Sequence, residues 1–133
     1  MMIFNPIRKC RNGATAVEFA LVAPVFLLMI AIIMELGRVL WIKNTMQYAV
    51  EEAGRYAMVN PSTVTETYLE DTLGPSKVIG AFSGAVTFTA TLDNAVTPNT
   101  MTIVASYTYT PVIGLVPGVS VPLSSLSVVP LNN

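Results

Sequence analysis

The sequence predicts an α+β protein: a long N-terminal transmembrane and stalk helix, then a short helix and a small antiparallel β-sheet packed on the stalk. Three observations carry this prediction. Residues 19–34 are uncharged and almost entirely apolar, and residues 36–57 place apolar side chains at helical spacing. Residues 86–110 contain two runs in which side chains alternate as in a strand. A length of 133 residues leaves room for one small domain beside the membrane segment.

The composition is unusual for a soluble domain and disfavours nucleic-acid binding. Hydrophobic residues make up 53% of the chain and charged residues only 11%, whereas soluble domains average about 25% charged residues. Three of the seven basic residues precede Gly13, and all eight acidic residues follow it. A chain that began at Ala14 would hold four bases against eight acids, and it would lack the basic face that nucleic acid requires.

Residues 1–13 are interpreted as a basic leader. Arg8, Lys9 and Arg11 lie just before the apolar run, and the positive-inside rule keeps such an end in the cytoplasm. A secretory signal peptide is the competing interpretation. It is disfavoured because the apolar run exceeds the usual length of about 7–15 residues and no small-residue cleavage site follows it.

The predicted membrane span covers residues 14–34, since a helix needs about 20 apolar residues to cross the bilayer core. Glu18 lies inside this run near its start, where a carboxylate is costly and marks a functional position. Membrane lipid is therefore a predicted partner. Residues beyond about Glu35 are expected on the periplasmic side.

The helix is expected to continue past the membrane as a stalk that ends near Val59, before Asn60-Pro61. A helix from Ala14 to Val59 would be roughly 69 Å long, and the bilayer core takes only about 30 Å of it. The apolar face of the stalk is Leu36, Val39, Ile42, Met46, Val50, Ala53 and Ala57. The opposite face is Arg38, Lys43, Gln47, Glu51 and Arg55, with Glu51 and Arg55 as an i,i+4 ion pair.

Two residues interrupt this helical pattern. Pro24 removes a backbone donor and predicts either an ordinary kink or a role in filament packing. Gly37 is interpreted as a point of close helix approach, with a hinge as the alternative.

A second, short helix is predicted after Pro61. Thr63 to Glu66 has the form of a capping box, and Gly74-Pro75 is expected to end the helix. The acids of this segment, Glu66, Glu70 and Asp71, are interpreted as a solvated face rather than a metal site, because no EF-hand pattern is present.

The C-terminal part is expected to form a small sheet. Val86–Leu92 and Thr102–Thr110 alternate and should pair as a hairpin, and Ser125–Val129 supplies a third strand. The prolines of this part suggest edge positions or loops. Two strands alone would be marginal, so the sheet should pack on the apolar side of the stalk around residues 39–57.

The residues that most enzymes need are missing. The chain has no histidine, so a Ser-His-Asp triad is excluded, and its one cysteine, Cys10, lies in the leader and forms no internal disulfide. A serine–lysine dyad with Lys43 or Lys77 is formally allowed, but nothing near either lysine suggests it. Tyr107 and Tyr109, on one face of a strand, indicate packing. No catalytic activity, cofactor or metal is predicted.

The stretch RNGATAVEFALVAPVFLL, followed by MELGR, resembles the N-terminus of the TadE-like family of pilin-like proteins. The resemblance implies a cleavage site for a prepilin peptidase between Gly13 and Ala14. It also makes Glu18 and Phe19 the fifth and sixth mature residues, the processing and assembly motif. Gly13 has no side chain to obstruct a peptidase, and its flexibility is expected to oppose early helix formation.

The resemblance further implies a minor pilin or pseudopilin of a tight-adherence (Flp-type) pilus assembly or secretion system. Its partners would be the prepilin peptidase, other pilin-like subunits and the assembly platform. It would lie in the bacterial inner membrane as a single-pass protein, with incorporation into an extracellular pilus as a further step. Glu18 could then pair with the free amino group of Ala14 on a neighbouring subunit.

The expected organisation is a cleaved leader (1–13), a transmembrane and stalk helix (14–59) and a small periplasmic domain (60–133). An alternative function is an unprocessed single-span membrane protein whose periplasmic domain binds a ligand. A membrane-tethered enzyme is a third, disfavoured by the missing catalytic groups.

Overall fold

A computed structural model describes residues 12–80, 85–95, 97–112 and 118–131. Its helical elements are α1 (Asn12–Val59), α2 (Glu66–Tyr68), a π-helical turn (Leu69–Leu73) and α3 (Gly74–Lys77), and its strands are β1 (Thr87–Asp93), β2 (Asn99–Tyr109) and β3 (Val121–Leu131). A three-stranded antiparallel sheet packs on the long helix, which confirms the predicted α+β fold. Most of the predicted leader, residues 1–11, lies outside the described residues.

Helix α1 is continuous over 48 residues and runs through both Pro24 and Gly37. Its length is roughly 72 Å at the rise of an α-helix. The predicted end at Val59 is confirmed. Both the backbone N–H and the side-chain amide of Asn60 donate to the carbonyl of Tyr56, each at 3.0 Å, and Pro61 prevents continuation.

The second half of α1 buries one face. The buried apolar side chains are Ile42, Met46, Ala49, Val50, Ala53 and Ala57, with Val39 partly buried beside them. This confirms the predicted apolar face except for Leu36, which is 58% exposed. On the opposite face Glu51 accepts a 2.8 Å hydrogen bond from Gln47. The expected ion pair of Glu51 with Arg55 is not among the contacts of the described residues.

The sheet has the strand order β1-β2-β3, so β1 and β3 are its edges. One row of the register pairs Ala90 with Ile103 and Ile103 with Ser127. The hairpin of β1 and β2 was predicted correctly. β3 is longer than the predicted Ser125–Val129 and includes Pro122 and Pro130. An edge strand tolerates these prolines, because a residue without an N–H can be accommodated on its free side.

Gly54 allows the helix to approach the sheet closely. A Cβ at this position would lie 2.9 Å from Cγ1 of Val129 and 3.0 Å from Oγ of Ser127. Both distances are shorter than side chains tolerate without movement. The packing of α1 on β3 therefore depends on the absence of a side chain at residue 54.

The predicted capping box is displaced by two residues. Thr65, not Thr63, caps the second helix, because its hydroxyl accepts the N–H of Tyr68 at 3.2 Å. Thr63 instead belongs to the turn that follows α1, where its N–H donates to the carbonyl of Asn60 at 3.1 Å. Thr63 is thus part of the turn, and Thr65 is the residue that caps the helix.

The predicted helix end at Gly74-Pro75 is also wrong, since helical turns continue to Lys77. The N–H of Gly74 donates to the carbonyl of Leu69, the wide spacing of a π-helical turn. Pro75 then lies in the first turn of α3, where its missing N–H costs little. Gly74 is required by packing, because a Cβ there would lie 2.6 Å from Cδ1 of Phe88.

Two carboxylates of the second helical segment bind the free edge of β1. Oε1 of Glu70 accepts the N–H of Ala90 at 2.7 Å, and Oε1 of Glu66 accepts the N–H of Leu92 at 2.6 Å. The expected solvated face is therefore wrong for Glu70, which is partly buried, whereas Glu66 and Asp71 are exposed and Glu66 also binds the strand edge. The contacts satisfy backbone donors that an edge strand otherwise leaves open.

Candidate membrane anchor and its junction with the domain

The first half of α1 is an exposed apolar surface. Within the described ranges, α1 is the one helix long and apolar enough to cross a membrane, and its most apolar window contains no buried residue. Phe19 is 72% exposed and Leu21 71% exposed. Apolar area of this extent is costly in water and favourable in lipid or against other apolar helices.

The predicted cleavage and assembly residues lie at the N-terminal end of this surface. Gly13, Ala14, Glu18 and Phe19 are all exposed residues of α1. The expectation that Gly13 opposes helix formation is wrong, because α1 begins at Asn12. The bond between Gly13 and Ala14 nevertheless lies at the N-terminal end of α1 as the structure describes it.

Ala14 and Glu18 are four residues apart in α1 and therefore lie on the same side of the helix. No acidic residue occupies the first turn of α1, so Glu18 is the acid nearest the positive end of the helix dipole. The geometry leaves the Glu18 carboxylate open to a positive group on another molecule.

At the other end of the apolar run, Glu35 joins the helix to the sheet. Its Oε1 accepts the hydroxyl of Tyr109 at 2.6 Å and the backbone N–H of Val112 at 2.7 Å. The Glu35 side chain is only 16% exposed. The last residue of β2 and the segment after it are thus fixed to the helix directly after Met34.

Arg38 completes this junction. A nitrogen of its guanidinium lies 3.9 Å from Oε2 of Glu35, and its Cζ lies 5.9 Å from the centre of the Tyr109 ring. Burial raises the pKa of Tyr109, and its hydrogen bond to the Glu35 carboxylate raises that pKa further. Tyr109 therefore stays protonated as a donor at neutral pH.

The sequence indicated packing for Tyr107 and Tyr109, which is confirmed by their burial, but it did not indicate the bond to Glu35. Tyr109 is 2% exposed, and Tyr107 is partly buried against the core. Glu35 had no predicted role beyond marking where the periplasmic residues are expected to begin. An acid immediately after an apolar run is a signal in itself, but local periodicity cannot pair it with a residue 74 positions away.

The remaining polar groups of the described residues do not assemble a metal site. Among the described residues, no group of three or more Asp, Glu, His or Cys side chains could hold a metal ion. Nζ of Lys77, one of the two lysines considered for a dyad, lies 3.7 Å from Glu52 in an ion pair. An open depression of about 410 Å³ lies at one end of the sheet. Its lining combines the hydroxyl residues Thr87, Ser106, Thr108 and Ser124 with Ala85, Tyr107, Pro122 and Leu123.

The fold and the exposed helix define a class of protein: a small domain carried on one long helix whose first half is apolar. The family model described as TadE-like protein matches residues 13–55, which confirms the resemblance found in the sequence. The matched residues form about a third of the chain and begin at the predicted cleavage glycine. Searches of the curated proteins and of the solved structures found no match.

The matched part, residues 13–55, covers the apolar half of α1 and most of the stalk, so this helix is what the chain shares with TadE-like proteins. TadE-like pilin proteins are structural proteins. Membership of that family implies association with pilus subunits and with the assembly machinery. The sheet and the short helical segment lie beyond the matched residues, so the domain is described by its structure alone.

Proposed function

We propose that this chain is a minor pilin or pseudopilin of a tight-adherence (Flp-type) pilus assembly or secretion system. A prepilin peptidase cuts it between Gly13 and Ala14, and it acts by helix packing in a filament or assembly platform. The observation that carries the proposal is the order Gly13, Ala14, Glu18, Phe19 at the head of an exposed apolar helix. The TadE-like match, which begins at Gly13, supports it.

The apolar half of α1 serves in two environments under this proposal. It first anchors the chain in the inner membrane, with the N-terminus in the cytoplasm and the domain in the periplasm. It then packs against the helices of other subunits, which replace lipid around the same side chains. The absence of any buried residue from the most apolar window of α1 supports both uses.

Glu18 supplies the polar contact of the assembled state. Cleavage leaves a new α-amino group on Ala14, with an ordinary pKa near 8 and therefore a mostly positive charge at neutral pH. In apolar surroundings a carboxylate requires such a partner. Pairing of Glu18 with the amino group of a neighbouring subunit would set the axial register between the two helices.

Intact-mass measurement on membrane-extracted protein tests the processing step. The parent should lack residues 1–13, and with them Cys10. Gly13→Leu should retain the leader, because a bulky side chain blocks the peptidase at the bond. Gly37→Leu is the matched control and should be cut like the parent, since residue 37 lies in open space well beyond the site. A parent of full-length mass contradicts the proposed processing.

Orientation is tested by reporter fusions after Asn60 and after Asn133. Both should be active only as exported proteins if the basic leader keeps the N-terminus in the cytoplasm. Cytoplasmic activity of the fusion after Asn133 contradicts the proposed topology.

The alternative function is an unprocessed single-span protein with a ligand-binding periplasmic domain. The depression beside Thr87 and Ser124 is the observation that favours it, because its hydroxyl groups can donate and accept hydrogen bonds. A full-length mass together with loss of ligand binding in Ser124→Val would support this alternative. Cleavage after Gly13 would support the pilin-like function.

A further inference from the structure

Three exposed valines lie at the end of the domain nearest the apolar run. The N–H of Val112 bonds to Glu35, and Val121 pairs with Tyr109, which also bonds to Glu35. Val119 is two residues from Val121 along the chain. Val112, Val119 and Val121 are 68%, 44% and 38% exposed, and we call them the valine rim. Since Glu35 directly follows the apolar run, the rim lies at the level where the span ends.

The apolar surface of α1 also continues past Glu35. Leu36, Leu40 and Trp41 are 58%, 60% and 50% exposed, while their neighbours Val39 and Ile42 pack in the core beneath the sheet. Trp41 lies about 9 Å beyond Glu35 along the helix. The headgroup layer of a bilayer is about 5–8 Å thick on each side of the core. The exposed apolar part of the stalk therefore matches the depth of one headgroup layer.

The charges at this level do not oppose contact with lipid. The one acid, Glu35, is largely covered and accepts two hydrogen bonds from the domain. Arg38 is half-exposed, and a guanidinium at this depth can reach headgroup phosphates. The described residues 109–112 and 118–131 contain no charged side chain.

We propose that the valine rim, together with Leu36, Leu40 and Trp41, lies in the headgroup layer of the membrane, so that the domain rests on phospholipid. Phospholipid is the occupant because this surface is continuous with the apolar surface of the span. Tryptophan just beyond an apolar span, and a helix that combines exposed leucine and tryptophan with a cation, are typical of the membrane interface. The inference rests on the membrane anchoring in the proposed function and adds a second, peripheral contact.

Fluorescent probes on the full chain in vesicles of phosphatidylethanolamine and phosphatidylglycerol test this inference. Cys10 is the only cysteine, so Cys10→Ser provides a background for single probes at Val112→Cys and Val119→Cys. Leu27→Cys marks the span. Ser62→Cys lies exposed beyond the far end of α1, about 36 Å further along the helix than the rim. Each carries the same environment-sensitive dye, and lipids brominated near the headgroup or deep in the chain act as quenchers.

The expected result is a blue-shifted emission for the two rim probes, with loss of intensity from the shallow quencher. The Ser62→Cys probe should keep the emission of a water-exposed dye, and the Leu27→Cys probe should respond to the deep quencher. Rim probes that behave like Ser62→Cys, beside a quenched Leu27→Cys probe, overturn the inference and leave the anchor intact. An unquenched Leu27→Cys probe overturns the anchor and the inference with it.

Trp41 gives a measurement without any dye, because it is the only tryptophan of the chain. Its emission should be quenched by the shallow brominated lipid and partly shielded from acrylamide in the aqueous phase. Free access of acrylamide to Trp41, with no effect of brominated lipid, overturns the proposed depth.

Discussion

The hydroxyl of Tyr109 donates a 2.6 Å hydrogen bond to the carboxylate of Glu35, which ties the end of β2 to the helix directly after the apolar run. The N–H of Val112 donates to the same carboxylate oxygen at 2.7 Å. One acid of the helix thus holds two points of the domain, and the domain cannot pivot freely about the end of the span.

Tyr109→Phe should lower the free energy of unfolding by about 2 kcal/mol, because a hydrogen bond to a charged acceptor is lost while the ring packing remains. Urea unfolding of the full chain in detergent micelles, followed by circular dichroism, measures this change. Tyr48→Phe is the control and should be nearly silent, since Tyr48 is half-exposed. Equal losses in the two variants would show that the bond to Glu35 contributes nothing.

The same hydroxyl predicts a pH dependence. The pKa of Tyr109 is raised above its ordinary value of 10.0 by burial and by the Glu35 carboxylate. A raised pKa in the folded state means that the stabilisation is complete below about pH 10 and is lost as the pH rises through the folded pKa. The stability advantage of the parent over Tyr109→Phe should therefore be constant at neutral pH and shrink above pH 10. An advantage that stays constant into strong alkali contradicts this assignment.

Val50 and Glu51 test which face of α1 carries the sheet. Val50 is fully buried and Glu51 is exposed. Val50→Asp should destabilise the domain by about 3–5 kcal/mol, because it buries a charge without a partner. Glu51→Ala should change stability by less than about 0.5 kcal/mol. Chemical unfolding of both variants measures the difference, and similar losses would mean that the face is wrongly assigned.

Gly54 and Gly37 differ in what surrounds them. Gly54→Ala should cost about 1–3 kcal/mol, since its Cβ would overlap Val129 and Ser127. Gly37→Ala should cost nothing in the single chain, because no atom lies within 4 Å and alanine favours a helix. Thermal unfolding in micelles measures both. If Gly37→Ala then fails only in assembly, residue 37 is a point of close approach between subunits.

Glu70→Ala should destabilise the sheet by about 1.5–3 kcal/mol, because the N–H of Ala90 loses a charged acceptor. The uncovered edge of β1 should also increase self-association, which sedimentation velocity detects. Asp71→Ala is the matched control, since Asp71 is an exposed neighbour. A Glu70→Ala variant as stable and as monomeric as the control would show that the edge needs no cover.

Glu18→Ala should still insert into the membrane, because removing a charge from an apolar span lowers the cost of insertion. It should then assemble poorly with other pilin-like subunits, since the amino group of Ala14 loses its partner. Cleavage, by intact mass, and assembly, by co-purification with partner subunits, must both be measured because the peptidase can also recognise Glu18. A variant that is cut and assembles like the parent would show that the carboxylate has no role in register.

Much of this fold could be predicted from local patterns. Three patterns each identify their element within about 20 residues. They are the apolar run, the helical spacing from Val39 to Ala57 and the alternation in both strands of the hairpin. The helix end at Asn60-Pro61 and the hairpin itself follow from such signals. These features depend on residues that are close together in the sequence.

The features that could not be predicted depend on contacts between distant residues. Thr63 and Thr65 offer the same capping chemistry, and only the turn at Asn60 decides between them. Gly74-Pro75 is a typical helix end, but packing on Phe88 and a wide turn from Leu69 carry the helix through it. Glu70 resembles a solvated acid until β1 is placed beside it.

The junction at Glu35 could not be predicted either, because its partners lie 74 and 77 residues further along the chain. The predicted cleavage and assembly residues are different in kind. Gly13 and Glu18 were identified from a motif, and their exposure in α1 leaves their partners to other molecules.

The continuity of α1 has a geometric consequence for the domain. Each residue of an α-helix advances about 1.5 Å and turns about 100°, and the sheet is fixed to the second half of this one helix. Inserting one residue between Met34 and Glu35 would therefore turn the sheet by about 100° about the helix axis relative to Glu18. The number of residues in the apolar segment thus sets the direction, around the helix axis, in which the exposed face of the sheet points; this face carries Thr87, Thr89 and Thr108.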